Sequence, residues 1–188
     1  MQKQNIDTNV YLYPMPVVLL GAEVQGKPNF MTVGWVSRVN FKPPMIAVGI
    51  NKAHYTPEGI LENRAFSINI PGRSMVGVTD YCGLVSGRKV DKAMLFEVFY
   101  GALPGAPMIT ECPLNMECRL VDTVDLPSNH LFIGEIVGAY CGDEIMTDGN
   151  PDLKKIDPLV LTMPDNSYWG VGEFIGKAWK VGKELKKV

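Results

Sequence analysis

The 188-residue sequence has few of the residues that build metal sites or disulfide frameworks. It contains only two histidines, and no two of its four cysteines are spaced as C-x-x-C. The cysteines are Cys82, Cys112, Cys118 and Cys141. This spacing is atypical of zinc ligands, and no secretion signal accompanies it. We therefore predict free, buried thiols, no disulfide and no metal site.

The sequence also lacks an excess of charge of one sign and any long apolar run. Its formal net charge is -2, so no overall basic field would hold a nucleic acid. No window approaches the roughly 20 apolar residues of a membrane span. These absences predict a cytoplasmic protein that binds neither nucleic acid nor membrane.

What the sequence does have is short β-branched or aromatic runs separated by glycine, proline and asparagine, which are typical of strands. The predicted strands cover residues 17–24, 31–39, 46–50, 66–70, 96–100, 116–124 and 131–140. Helical spacing is confined to residues 57–63, 75–84 and 173–188. With 46% hydrophobic residues, the chain has enough apolar material for one core. We predict a single domain over residues 1–188, mainly β, built as an antiparallel barrel with a few flanking helices.

The predicted C-terminal helix, residues 173–188, carries lysines around a few apolar side chains. A basic amphipathic helix can lie on a membrane surface. We expect instead that its apolar side packs on the barrel and that its lysines face solvent.

The predicted strand over residues 31–39 places a threonine beside a glycine. Alternation puts Thr32, Gly34 and Val36 on one face. The other face holds Met31, Val33, Trp35 and Ser37. A glycine on a strand lets backbone N–H and C=O groups approach a flat ring closely, as an isoalloxazine edge requires. The alternative interpretation is that Thr32 and Gly34 simply face another strand.

Two further segments have the composition of phosphate-binding loops. The first consists of Lys52, His54, Tyr55 and Thr56, just before a helix opened by Pro57. A helix N-terminus, a lysine and a hydroxyl together suit a phosphate. The alternative is a solvated turn in which Thr56 is an ordinary N-cap. The second segment, residues 82–92, combines serine, glycines and three cations that would suit a phosphate or ribityl chain, or equally a solvated face.

Taken in order, several segments resemble the flavin reductase-like family of FMN-binding split-barrel proteins, and within it the flavoredoxin-type members. The segments are residues 16–19, 29–37, 41–44, 66–71, 82–83, 86–92, 109–113 and 130–136. The resemblance extends from about residue 10 to about residue 175. It implies a homodimeric split β-barrel that binds FMN non-covalently at or near the dimer interface. The aromatic residues Trp35, Tyr168 and Trp169 are in keeping with such an interface.

The resemblance also implies roles for individual residues. The flavin would be lined by Asn29, Met31, Thr32, Val33 and Ser37. The phosphate region would be held by Lys52, His54, Tyr55 and Thr56. The pocket would be completed by Cys82, Gly83, Ser86, Gly87, Asp91 and Lys92. Thr32, or backbone N–H groups beside it, would assist charge build-up as the ring is reduced.

His130 has two interpretations. Family members that oxidise nicotinamide often carry Gly-Asp-His, with the histidine near the nicotinamide, whereas this chain reads Ser128-Asn129-His130. His130 is therefore either a nicotinamide contact or a structural histidine.

Three functions follow from the resemblance. The leading hypothesis is an oxidoreductase in which NADH or NADPH reduces bound FMN, which passes electrons to free flavin, ferric iron or a partner protein. The alternative is an FMN-loaded electron carrier without a nicotinamide site of its own. A third hypothesis, a barrel that keeps the fold without the flavin, is disfavoured by the retained Lys52, Thr56 and Lys92.

Overall fold

The computed structural model describes residues 2–187. The strands in this range are β1 (Met15–Pro16), β2 (Val18–Val24), β3 (Lys27–Val33), β4 (Val36–Asn40), β5 (Met45–Asn51), β6 (Ala65–Ile70), β7 (Val98–Phe99), β8 (Met108–Ile109), β9 (Leu114–Asp125), β10 (Asn129–Cys141), β11 (Met146–Thr147), β12 (Asn150–Pro151), β13 (Leu159–Thr162) and β14 (Ser167–Gly170). The α-helices are α1 (Thr56–Asn63), α2 (Val76–Leu84) and α3 (Leu153–Ile156). Short 3-10 segments cover Arg73–Met75, Lys92–Leu95, Asp143–Ile145 and Val181–Lys187. No helix among residues 2–187 is long and apolar enough to span a membrane.

Seven of these strands form one antiparallel sheet in the order β3-β2-β6-β9-β10-β5-β4. Its two edge strands, β3 and β4, follow one another in the chain and are joined only by Gly34 and Trp35. The two edges must therefore lie close together, which curls the sheet into a barrel that is split between them. The predicted fold, a mainly β antiparallel split barrel with a few flanking helices, is confirmed.

The barrel interior is apolar, and strand β3 contributes to it by alternation. Met31 and Val33 point into this core, together with Phe66 and Phe132. On the other face of β3, Phe30 packs in a second cluster with Cys82 and lies edge-on to Phe96, with 5.4 Å between ring centroids. Helix α2 covers this outer face, so β3 lies between the barrel core and its helical cover.

A small sheet in the order β1-β13-β14 was not predicted from the sequence. In its hairpin β13-β14, Leu159 pairs with Gly170. The hairpin contacts α2, where the Tyr168 hydroxyl donates to the Asp80 carboxylate over 3.1 Å. Burial and this bond raise the pKa of Tyr168 to about 12. The short strands β13 and β14, four residues each, carry little periodic signal.

The predicted strand over residues 31–39 is wrong as one element, because it is broken at Gly34 and Trp35. The chain crosses there from one sheet edge to the other, and the Trp35 carbonyl accepts a 2.8 Å bond from the Gly49 amide. Alternation is lost at the crossing. As a result Val36 packs on the same core as Met31 and Val33, and not on the Thr32 face as predicted.

Two predicted helix features also differ from the structure. Helix α1 begins at Thr56, so Thr56 is not its N-cap; its hydroxyl instead accepts a 2.8 Å bond from the Asn29 side chain. The C-terminal helix over residues 173–188 is wrong as well. Residues 171–177 have no regular structure and a 3-10 segment follows at Val181–Lys187, while Val188 lies outside the described residues. Trp179, with φ of 59°, takes a left-handed conformation that interrupts a helix.

Candidate functional site

Two clefts lie at opposite ends of strand β3. A polar cleft of about 280 Å³ is bounded by residues 24–29, Tyr55 and residues 87–92. A larger apolar groove of about 790 Å³, which we call the Trp35 groove, lies beyond the other end of the strand. Its walls come from residues 34–37, Gly49, and parts of residues 10–16 and 126–131. Strand β3 is therefore the element that links a polar site to an apolar one.

The polar cleft has a rigid floor and a cationic rim. Its floor is the buried Asn29, which donates to Thr56 at the start of α1. Gly87 lies directly against the Asn29 carboxamide, and a Cβ at this position would collide with it. Above them the Arg88 guanidinium stacks 4.8 Å from the centre of the Tyr55 ring and pairs with Glu58. Lys27 and Lys89 add two more cations to the lining.

Lys92, at the edge of this cleft, is buried and holds the end of a helix. Its amine donates to the carbonyls of Cys82 and Val85, over 3.0 and 3.1 Å. These carbonyls close α2, where the helix dipole is negative and favours a cation. Burial lowers the pKa of Lys92 and raises the pKa of the Cys82 thiol. Asp91 accepts from the Ala93 amide over 3.1 Å and so caps the following turn.

Thr32 lies between β3 and α2, and its hydroxyl donates to the Thr79 carbonyl. Gly83 faces it, so that a Cβ at this glycine would stand 3.4 Å from the Thr32 Cβ. The Met31 and Val33 side chains belong to the barrel core. Their contact with any cofactor would therefore involve the backbone.

His130 and Lys52 meet at Asp125 and not in either cleft. The Lys52 amine lies 2.7 Å from the Asp125 carboxylate, and His130 Nδ1 lies 3.2 Å from the same oxygen. The bond from Lys52 lowers the pKa of Asp125. His130 also lies against Phe132, with 5.4 Å between ring centroids. Since Asn129 and Leu131 line the Trp35 groove, alternation turns the His130 ring to the opposite face of β10.

The predicted site residues therefore fall into separate groups. The polar cleft brings together Asn29, Tyr55, Gly87, Asp91 and Lys92, with Thr56 beneath it. Thr32, Cys82 and Gly83 lie along the contact between β3 and α2. Ser37 lines the Trp35 groove, Ser86 accepts from the Arg88 amide, and His54 is exposed in the turn after β5. Lys52 and His130 form the separate group around Asp125.

The sequence places Arg88 among the cations of residues 82–92 but does not indicate Lys27 as a cleft residue or Asp125 as a partner of His130. The three cations of residues 86–92 were visible, but nothing in the sequence indicated that Arg88 stacks on Tyr55. All four cysteines are free; Cys82, Cys112 and Cys118 are buried as expected, whereas Cys141 is half-buried. Within the part of the chain that the structure describes, no three His, Cys, Asp or Glu side chains group as metal ligands would.

The split barrel, with a polar and an apolar cleft at the two ends of β3, places the chain among split-barrel proteins of the flavin reductase type. The family model described as "Flavin reductase like domain" matches residues 10–161, and the chain belongs to that family. The resemblance found in the sequence is thereby confirmed.

Three relatives define the relationship further. The crystal structure of flavoredoxin from Methanosarcina acetivorans is 62% identical, with a TM-score of 0.97 over 98% of this chain and 100% of that one. Flavoredoxin of Desulfovibrio vulgaris (Miyazaki F) is 34% identical, with a TM-score of 0.91 over 97% of this chain and 100% of that one. A protein of Archaeoglobus fulgidus is 32% identical over 155 residues, which are 81% of this chain and 86% of the relative.

Proposed function

We propose that the protein binds FMN non-covalently and transfers electrons through it. The observation that carries this proposal is the pair of clefts joined by β3, one cationic and one apolar. FMN has the same division, with a phosphate at one end and a flat ring at the other. The similarity to two flavoredoxins, at 62% and 34% identity, supports the same function.

The polar cleft suits the phosphate. Arg88, Lys27 and Lys89 supply charge at its rim, and Arg88 is held in place by Tyr55 and Glu58. Gly87 leaves room above the Asn29 carboxamide that any side chain would fill. The group would therefore meet a pre-formed site that needs little rearrangement.

The Trp35 groove suits the isoalloxazine ring of FMN. From Asn29 to Gly34 the extended chain covers about 17 Å, which allows a ribityl chain to follow the strand. Glycines 34 and 49 line this end of the groove and add no side chain to its wall. Trp35 and Leu131 provide apolar walls, and Ser37, Ser128 and Asn129 are polar residues in the lining.

FMN, when bound, supplies both hydride and single-electron chemistry. The chain would bind the phosphate, orient the ring and keep water from it. The Thr32 hydroxyl already donates to the Thr79 carbonyl, so its role would be to position β3 against α2. Nearby backbone N–H groups would then donate toward the ring.

Two candidate functions differ in the electron donor. An FMN-loaded carrier that exchanges electrons with a partner protein is favoured by the His130 ring, which is held by Asp125 on the face away from the groove. A reductase that uses NADH or NADPH and passes electrons to free flavin or ferric iron is favoured by the family to which the chain belongs. We propose the carrier as the primary function and the reductase as the second candidate.

An absorbance spectrum of the purified protein in the near-ultraviolet and visible range tests both. We expect a flavin spectrum that is unchanged by anaerobic NADH or NADPH and is bleached by a chemical reductant. Rapid bleaching by either nucleotide would make the reductase the correct assignment. No flavin spectrum, even after FMN is added, would contradict flavin binding itself.

We further propose that the functional form is a homodimer. Trp35 is half-exposed on the isolated chain, although it forms a wall of the proposed ring site. A second copy would exclude water from this wall.

A further inference from the structure

The last described segment, residues 171–187, forms an arm of irregular chain followed by a 3-10 segment. After Gly170 ends strand β14, Phe174, Ile175 and Trp179 are 69%, 97% and 92% exposed. The backbone hydrogen bonds of residues 177–183 join arm residues to one another. We call residues 171–187 the C-terminal arm.

The exposed apolar area of this arm is large for a free surface. Phe174 and Trp179 have side chains of roughly 150–250 Å² each, so they alone expose on the order of 300 Å². Val181 and Leu185 are also exposed and extend the apolar surface. Together these side chains expose on the order of 500 Å², at the upper end of the roughly 300–600 Å² of the largest apolar patch on a typical monomer. A patch of this size marks an interaction site.

The course of the arm is shared with a solved structure. Flavoredoxin from Methanosarcina acetivorans matches 98% of this chain at a TM-score of 0.97, which leaves only about four residues unmatched. Most of the arm therefore follows the same path in a crystal. A segment whose apolar side chains are exposed on their own subunit keeps one path when another surface holds it.

The Trp35 groove has the complementary properties. It is apolar and open, and its outer end is lined by Val10, Leu12 and Leu126, which are themselves exposed. The arm carries Lys177, Lys180 and Lys183, and the exposed Asp125 lies one residue before Leu126 at the rim of the groove. The two surfaces thus agree in hydrophobicity, and the arm's cations face a rim whose carboxylate, Asp125, also pairs with Lys52.

No described arm residue lines the groove of its own chain, and the arm's apolar side chains are left in solvent. We propose that the C-terminal arm of each copy docks over the outer end of the Trp35 groove of a second copy. Two such contacts related by a two-fold axis would close the assembly and bury both arms. The partner's arm would thereby complete the wall of each ring site, a consequence that rests on the proposed FMN function.

Fluorescence of Trp179 in the apoprotein tests the docking without any flavin. Comparing the wild type with Trp179→Phe isolates the emission of Trp179 and leaves Trp35, a wall of the groove, in place. At concentrations where sedimentation shows a dimer, we expect acrylamide to quench Trp179 several-fold less than in urea, with the protection lost on dilution to monomer. Full quenching in the dimer, or a protein that stays monomeric, would overturn the proposal. Protection that requires anionic lipid vesicles would also overturn it.

Disulfide trapping then identifies which copy supplies the arm. In a Cys141→Ser background, one chain carries Ile175→Cys and a second chain of different mass carries Leu126→Cys. We expect a covalent product that contains both chains after mild oxidation, and none with Leu84→Cys as partner, although Leu84 is more exposed than Leu126. Equal products with Leu126→Cys and Leu84→Cys would overturn the proposal. FMN uptake is measured separately by absorbance. It distinguishes a failure of the proposed flavin function from a failure of arm docking.

Discussion

Glu117 is a fully buried carboxylate whose hydrogen bonds tie two parts of the barrel together. It accepts from the Tyr140 hydroxyl and from the amides of Ala102 and Leu103, over 3.1 and 2.7 Å for the two amides. Burial acts to raise its pKa, but the three hydrogen bonds outweigh burial, so the pKa is lowered. The side chain is therefore ionised in the folded protein and holds the loop after β7.

Glu117→Gln should lower the free energy of unfolding at neutral pH by about 2–3 kcal/mol, because the amide nitrogen that replaces one carboxylate oxygen cannot accept a hydrogen bond and leaves a buried donor unpaired. The lowered pKa fixes the pH dependence. The carboxylate's contribution is fully present above its ordinary pKa of 4.5 and is lost as the pH falls through the lowered value. The difference between wild type and variant should thus shrink in acid. Urea titrations of both proteins at several pH values measure this difference in unfolding free energy, and the exposed Glu62→Gln is the control. An equal loss of stability at all pH values would contradict the prediction.

Arg88 should contribute to the choice between FMN and riboflavin, which lacks the phosphate. Arg88→Ala removes a charge that is fixed by Tyr55 and Glu58, and we expect FMN affinity to fall about tenfold while riboflavin affinity is unchanged. Fluorescence titration of the apoprotein with each flavin measures both constants. Arg119→Ala, which breaks a surface pair with Glu135 at 3.7 Å, is the matched control. An equal loss for both flavins would place the phosphate away from the polar cleft.

Helix α1 packs directly on strand β2 through a glycine. A Cβ on Gly59 would lie closer to the Glu23 carbonyl than any real contact allows, whereas a Cβ on Gly77 in α2 would have nothing within 4 Å. Gly59→Ala should therefore destabilise by about 1–3 kcal/mol through overpacking. Gly77→Ala should stabilise by about 0.5 kcal/mol through helix propensity. Thermal denaturation of the two variants compares them, and a neutral Gly59→Ala would mean that the helix can move off the strand.

The elements that the sequence predicts best are those with a strong local period. The strands near residues 17–24, 46–50 and 66–70, and the helices near 57–63 and 75–84, agree with the structure to within about two residues. The break at Gly34 and the hairpin β13-β14 depend on where the chain must cross or cover the barrel, which no local pattern encodes. The C-terminal arm was predicted as a helix because its lysines and apolar residues alternate at helical spacing, yet it has no surface on its own chain to pack against.

The candidate site, too, could be predicted only in part. Phosphate-type residues could be recognised at Tyr55, Gly87 and Lys92, and these do meet at the polar cleft. The partner of Lys52 could not be predicted, because Asp125 is brought to it only by the pairing of β10 with β5 and β9. Residue types thus indicate chemistry, while long-range strand pairing decides which side chains share a cleft.

On the scale of the whole molecule, the split between β3 and β4 is what makes room for a ligand. In a closed barrel these two edge strands would be paired. Here they are not, and the polar cleft and the Trp35 groove lie at the two ends of β3. The core behind β3 is filled by Met31, Val33 and Phe132, so ligand binding does not require the barrel to open. Binding should therefore stabilise the native protein without changing its fold.

FMN should accordingly raise the thermal midpoint. At a free concentration of 100 times the dissociation constant, a ligand that binds only the native state adds about 2.7 kcal/mol, which for a chain of this length corresponds to roughly 5–10 °C. Riboflavin at the same concentration should give a smaller shift, because it leaves the polar cleft empty. Arg88→Ala should reduce the FMN shift toward the riboflavin value, while Lys27 and Lys89 keep part of it. Differential scanning calorimetry measures all three shifts. Equal shifts for FMN and riboflavin in the wild type would contradict the phosphate assignment, and no shift with either flavin would contradict flavin binding by this barrel.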